Sequence, residues 1–185
     1  MSDLPILYSF RRCPYAMRAR MALAASGAEV MLREVLLKDK PAELLAASPK
    51  ATVPVLVLSD GQIIEESLDV MQWALEHRDP LGWLEGAALD SGWISACDGD
   101  FKHWLDRYKY ADRYPERTAE DYRQNAEAFI QRLEDRLSVS DWVVAMQPMP
   151  SMWHCFRLFA SLQASTPRGG SRRPTPRSDY GWKTG

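Results

Sequence analysis

Pro5-Ile6-Leu7-Tyr8-Ser9-Phe10-Arg11-Arg12-Cys13-Pro14-Tyr15-Ala16-Met17-Arg18-Ala19-Arg20-Met21-Ala22-Leu23-Ala24 is the stretch that decides the fold. Its first six residues form an apolar run that reads as a short buried strand, and Met17 to Ala24 read as a helix. Cys13 therefore lies where a strand feeds a helix, followed by a proline suited to the first helical turn. Free backbone N–H groups and the helix dipole favour negative charge at that place. The thiolate is the form of cysteine that gains from it, and the thiolate is the nucleophile. Arg11, Arg12 and Arg18 add positive charge around it, and two arginines at a strand end argue for exposure rather than for a buried structural cysteine.

Ala16 narrows the chemistry. A Cys-x-x-Cys redox motif needs a second thiol to close an internal disulfide, and here that position is alanine. Cys97 and Cys155 are far away in sequence. A lone reactive cysteine can still attack a disulfide, but an external thiol must finish the reaction. The residues imply a monothiol mechanism with a thiol cosubstrate.

Beyond the first helix, Gly27 suits a C-cap position. Val30 to Val35 form a plausible second strand, Lys38-Asp39-Lys40-Pro41 a turn, and Ala42 to Ala46 a short helical segment. Val53-Pro54-Val55-Leu56-Val57-Leu58 reads as a third strand, Asp60-Gly61 as a tight hairpin, and Gln62-Ile63-Ile64 as the returning strand. Glu65-Glu66-Ser67 leads into a helix with Leu68, Met71, Trp73, Ala74 and Leu75 as its apolar residues. Strand, helix and strand at the start make a βαβ unit, so the order predicts an α/β sandwich with a mixed sheet.

The strand-Cys13-Pro14-Tyr15-Ala16-helix pattern, then Val53-Pro54, then Glu66-Ser67 after a hairpin, resembles the thioredoxin-like domain of the glutathione S-transferase superfamily. The nearest pattern is that of its cysteine-type members, of the omega and dehydroascorbate-reductase kind. The likeness covers residues 5–80. It implies glutathione as cosubstrate, held by Lys40, Val53, Pro54, Glu66 and Ser67, with Cys13 as the catalytic nucleophile and no metal. In the family the Val-Pro bond is cis, leaving the Val53 backbone to pair with the cysteinyl backbone of a peptide thiol. An edge-strand proline also accounts for Pro54. Glu66 and Ser67 match the pair that binds the γ-glutamyl end, Ser67 holding a carboxylate at a helix start and Glu66 an ammonium. A plain N-cap accounts for the serine, though less well for the acidic pair. Lys40 matches a lysine that meets the glycyl carboxylate, and a solvated turn lysine reads nearly as well. Tyr15 packs beside the cysteine without a catalytic role.

The implied function is a glutathione-dependent thiol transferase or reductase, acting on a small disulfide or electrophilic acceptor. Thiol transfer is preferred to conjugation because a cysteine forms a covalent intermediate where a tyrosine or serine would only polarise bound glutathione. The alternative from another class is a non-catalytic thioredoxin-like binding or stress-associated module, or an inactive truncated transferase. A homodimer is compatible with either.

The second half departs from that pattern. Arg78 to Gly82 read as a linker. Leu89, Trp93, Ile94, Cys97, Phe101, Trp104, Leu105 and Tyr108 recur at helical spacing, Pro115 breaks the run, and Thr118 with Asp121 resembles a capping box. Tyr122, Ala126, Phe129, Ile130, Leu133 and Leu137 form the next stripe. The division expected is a thioredoxin-like domain over 1–80, an incomplete all-helical domain over 86–160 and a disordered basic tail over 161–185. Trp104 and Tyr108 suit core packing more than an acceptor pocket. Met149-Pro150-Ser151-Met152-Trp153 does not open the buried helix that the family places there. A reading-frame slip near codons 138–155 would account for it, because the codons of Met152 to Ser161, read one base earlier, can encode an Asp-led apolar helix. His154 and Cys155 lack the further ligands a metal needs.

Composition sets outer bounds. Of 185 residues, 46% are apolar, enough for one good core or two small ones. The net charge of −2 hides a basic end: Pro167 to Gly185 hold five basic residues and one acid, leaving about −6 on the body, an unlikely nucleic-acid binder. Three cysteines suit a reducing compartment. Met1 to Pro5 lack a basic region and a long apolar stretch, and no window is long enough for a membrane span. The expectation is a cytoplasmic protein with no nucleic-acid or membrane partner.

Overall fold

A computed structural model of the chain describes residues 4–84 and 92–139. The first segment runs β1 (Ile6–Ser9), α1 (Pro14–Ser26), β2 (Met31–Glu34), α2 (Ala42–Ala47), β3 (Val55–Val57), β4 (Ile63–Ile64) and α3 (Ser67–His77). The sheet order is β2-β1-β3-β4, with β1 parallel to β2 and antiparallel to β3, and β3 antiparallel to β4. This is the mixed sheet expected from the βαβ start followed by a hairpin, in the thioredoxin-like arrangement that the resemblance implies.

Alternation along the strands fixes the layers. Leu7 pairs with Leu56, and Tyr8 with Val55. Leu7 and Leu56 face one side, where Ala19, Ala22 and Leu23 of α1 meet Val70, Met71, Ala74 and Leu75 of α3. Tyr8 and Val55 face the other side with Val35 and Leu44 of α2. Successive strand residues point to opposite faces, so a one-residue slip would exchange both sets. Ala16, Ala19 and Ala22, all fully buried, recur every three residues on α1 and leave room for α3 to lie close.

Local signals set the helix ends. Pro14 opens α1 at a position needing no N–H. Gly27 closes it at φ 74°, with Gly27 N–H donating to Ala24 O at 3.3 Å and Ala28 N–H to Leu23 O at 3.1 Å. These are the two bonds of a Schellman motif. Gly61 turns the β3–β4 hairpin at φ 90°, and the Asp60 carboxylate accepts from Gln62 N–H at 2.9 Å. After α3 the chain folds back so that Trp83 is buried in the α1–α3 core.

The second segment runs α4 (Gly92–Ala96), a π-helical turn (Cys97–Phe101), α5 (Lys102–Lys109), a 3-10 turn (Ala111–Arg113) and α6 (Ala119–Ser138). The backbone stays helical across 96 and 102, so the first three are one helix with a widened turn. Thr118 caps α6 with the expected box: its hydroxyl accepts from Asp121 N–H at 3.1 Å, and Asp121 accepts from Thr118 N–H at 3.1 Å. Cys97, Phe101, Leu105, Ala126 and Phe129 form the core. Phe129 stacks on Phe101 and meets Trp93 edge-on, while Trp104 stacks on Tyr122. Partners descend on α6 as they ascend on the first helix, so the pair is antiparallel. Trp104 and Tyr108 pack against this core. Leu137 departs from the expected stripe and is exposed. Leu89, Trp142 to Trp153, the suggested frame slip, His154 and Cys155, and the basic tail lie outside the described residues.

Candidate functional site

Cys13 is the N-cap residue of α1. Its carbonyl accepts from Met17 N–H at 2.9 Å, and its own N–H donates to Phe10 O at 3.0 Å. The side chain makes no capping bond. Instead the thiol donates to the Val53 carbonyl at 3.5 Å, across 40 residues of sequence. The helix start thus positions the sulfur without holding it.

Arginines build the loop around that cysteine in three different ways. Arg20 reaches back from α1 to the Ser9 hydroxyl, to Phe10 O at 3.4 Å and to Arg11 O at 3.0 Å. Arg11 N–H donates to Glu34 at 2.7 Å, tying the loop to β2, and the Arg12 guanidinium lies over the Phe10 ring. Both Arg11 and Arg12 are exposed, as expected. Arg18 is buried instead, 2% exposed, and its guanidinium is committed to Ser67 and Asp98.

The Val53–Pro54 peptide is cis. Pro54 is buried and sits just ahead of β3. Because β3 lies between β1 and β4, the edge-strand explanation for this proline does not apply. The cis turn sets the Val53 carbonyl against Cys13.

Glu66 is the N-cap of α3 and Ser67 its first helical residue. Ser67 is buried, and its hydroxyl accepts from Arg18 Nη1 at 3.2 Å instead of capping the helix. Arg18 in turn makes a two-pronged ion pair with Asp98 in the π-helical turn, both bonds 2.9 Å. Glu66 is exposed and holds Lys50 at 3.2 Å, with Glu65 3.8 Å from the same ammonium. The bond to Glu66, then the charges of Glu65 and Glu66, raise the Lys50 pKa and keep it protonated. Glu65 also accepts from the Ser48 hydroxyl. Glu66 lines an acidic groove of about 590 Å³ between β4 and α3.

The structure therefore brings Cys13, Val53 and Pro54 together and sets Glu66 and Ser67 side by side at one helix start. Lys40 stands apart in the turn before α2, and among the described residues it has no hydrogen bond or ion pair to the others. Sequence reasoning missed Lys50 and Asp98. Lys50 carried one faint signal, a cation between Pro49 and the Val-Pro element. Asp98 carried none, since its partner lies 80 residues earlier.

Tyr15 packs beside this junction, under the Arg18 guanidinium. Burial, reinforced by the Asp98 carboxylate, pushes its phenol up to about 12, so it stays neutral near neutral pH. Among the described residues no cluster of His, Cys, Asp or Glu is placed to hold a metal, and no helix is long and apolar enough to cross a membrane.

Comparison with known proteins identifies the first segment. The family model for the glutathione S-transferase N-terminal domain matches residues 7–83. Glutathione S-transferase omega-1 of Sus scrofa is 41% identical over 61 residues, which are 33% of this chain and 25% of that protein. A probable glutathione transferase of Aplysia californica is 41% identical over 70 residues, 38% of this chain and 74% of that one. The crystal structure of a possible glutathione S-transferase from Rhodopseudomonas palustris superposes with a TM-score of 0.70 at 20% identity, covering 87% of this chain and 84% of its own. The matched segment spans about a quarter of the omega-1 proteins of pig, mouse and rat.

Proposed function

Because this chain belongs to the glutathione S-transferase superfamily, with an omega-like N-terminal domain, we propose that it is a glutathione-dependent thiol transferase or reductase working through Cys13. The observation that carries the reading is the 3.5 Å contact between the Cys13 thiol and the Val53 carbonyl at a cis Val-Pro turn. A peptide thiol paired by its backbone to Val53 would lie beside that sulfur. Its cysteinyl N–H would claim the Val53 carbonyl, and the Cys13 thiol would lose its acceptor and become free to react.

The γ-glutamyl end extends toward α3. Its carboxylate meets Ser67 and the free N–H groups of the first helical turn, where the dipole favours an anion. Its ammonium meets Glu66, exchanging with the Lys50 ammonium that Glu66 holds. Lys40 is the nearest candidate for the glycyl carboxylate by the family pattern.

The chemistry is two thiol–disulfide exchanges. Cys13 thiolate attacks the glutathione sulfur of a mixed disulfide, forming a Cys13–glutathione disulfide and expelling the acceptor thiolate, which takes a proton from solvent. A second glutathione thiolate then attacks the glutathione sulfur of that adduct. Oxidised glutathione leaves and Cys13 thiolate is restored. Each exchange breaks one disulfide and forms one, and one glutathione thiol is consumed for each acceptor thiol released, so the balance closes with no metal or internal second thiol.

The test is reduction of a glutathionylated model disulfide by the wild-type protein and by Cys13→Ser. The variant should lose at least about a hundredfold in rate, as expected when a nucleophile is removed. Equal rates would refute the assignment of Cys13. Retention on immobilised glutathione with no turnover by the wild type would favour the non-catalytic binding module instead.

A further inference from the structure

Arg18 is the largest fully buried side chain of the described residues, and the proposed chemistry leaves it without a task. It sits where three elements meet. The side chain comes from α1, its guanidinium forks onto both carboxylate oxygens of Asp98 in the π-helical turn, and Nη1 also donates to the hydroxyl of Ser67 at the start of α3. A π-helical turn inside an α-helix is a costly local choice that often marks a functional position. Here the widened turn carries the carboxylate that fixes the arginine. The ion pair also joins the thioredoxin-like segment to the helical one.

We propose that Arg18 is a positioning residue for the anionic end of the ligand at Ser67, with Asp98 holding it in place. The inference rests on the reading of Ser67 given above. A serine hydroxyl has one proton to donate and two lone pairs to accept with. Arg18 has no acceptor, so its bond to Ser67 Oγ occupies a lone pair from the inner side. The hydroxyl proton is then left to point away from the guanidinium, toward the open start of α3. The adjacent positive charge draws electron density from the oxygen and makes that proton a stronger donor. Without Arg18, the same hydroxyl is free to rotate and to bond to neighbouring backbone groups, as serine side chains do. The forked pairing with Asp98 matters because a guanidinium held at two points keeps its third direction fixed. The helical segment thereby sets the donor geometry of a site it does not line.

The discriminating measurement is a carboxylate preference, not an activity. Isothermal titration would compare glutathione with the analogue whose γ-glutamyl α-carboxylate is a carboxamide, on wild type, Arg18→Gln and Asp98→Asn. Wild type should prefer the carboxylate by about tenfold or more, as for one charge-assisted hydrogen bond. Each variant should cut that preference to about threefold or less while leaving affinity for the carboxamide within about twofold of wild type. In the background of Ser67→Ala, Arg18→Gln should change the preference no further. A purely structural arginine would weaken both ligands by the same factor, and an unchanged preference in Asp98→Asn, whose fold is the less disturbed, would overturn the proposal even if Arg18→Gln did not fold. Wild type that binds glutathione without preferring the carboxylate, or binds neither ligand, would instead overturn the reading of Ser67 itself.

Discussion

Replacing Asp98 by alanine strands a guanidinium inside the protein. The Arg18 side chain is 1% exposed and that of Asp98 24%. Breaking a buried ion pair by deleting one partner costs about 3–5 kcal/mol, mostly because the surviving charge is left without compensation. Asp98 reaches solvent, so water can enter the vacated space and relieve part of this, and Ser67 still accepts one bond. The expected loss is therefore about 2–3 kcal/mol, below the fully buried figure. With a urea slope of about 2 kcal/mol/M, the unfolding midpoint should fall by about 1–1.5 M. Arg18→Met combined with Asp98→Ala removes both charges and fills the space with an apolar chain, so it should recover at least about half of that loss. Equilibrium urea unfolding of wild type, Asp98→Ala, Arg18→Met and the double variant, followed by tryptophan fluorescence and circular dichroism, measures each term. A midpoint shift under about 0.3 M for Asp98→Ala, or a double variant as unstable as the two singles added together, would refute the claim that Asp98 compensates the buried Arg18 charge.

Phe129→Ala should cost about 3–5 kcal/mol, since the ring fills the centre of the helical core against Phe101 and Trp93, and thermal melting of the helical signal reads it. Gly27→Ala should cost about 1 kcal/mol through its positive φ, because Arg78 Nη1 at 3.6 Å from the added Cβ is only an ordinary contact. Tyr15→Phe should leave the rate of disulfide reduction near neutral pH within about twofold of wild type, because a phenol raised to about 12 supplies no phenolate there. Asp121 is held below its ordinary pKa by its bonds to the Thr118 hydroxyl and N–H. A depressed folded value means stability that is present above the unfolded pKa and lost as pH falls through the folded one. The destabilisation caused by Thr118→Ala should accordingly be full near neutral pH and shrink in acid, as melts across that range would record.

The fold was readable because its determinants are local. Pro14 and Gly27 bracket α1, Asp60-Gly61 turns the hairpin, and Thr118 with Asp121 starts α6, each through bonds spanning at most five residues. Alternation in Leu7-Tyr8 and Val55-Leu56 set the two sheet faces for the same reason. The π-helical turn was not readable, because Trp93, Cys97, Phe101, Trp104 and Tyr108 fit an unbroken α-helix nearly as well. A single widened turn shifts the later residues by one position, which the spacing tolerates. The widened turn carries Asp98 to Arg18, a partner 80 residues earlier that the spacing of the turn does not announce.

The same division runs through the site. Cys13, Val53-Pro54 and Glu66-Ser67 each had a short motif to announce them, and the structure sets the first two in contact. The electrostatics between motifs had no such announcement. Arg18 is expected as positive charge around the cysteine, and nothing in its own stretch of sequence announces that its guanidinium is buried against Ser67 and Asp98. Lys50, which no motif announces, is the lysine that meets the acidic pair at α3. A charge finds its partner through the tertiary fold, and neither partner needs a neighbour in sequence to get there. Ser67 is a further case: read locally it is a helix cap, but its hydroxyl accepts from an arginine 49 residues back, which is itself paired with a carboxylate 80 residues on.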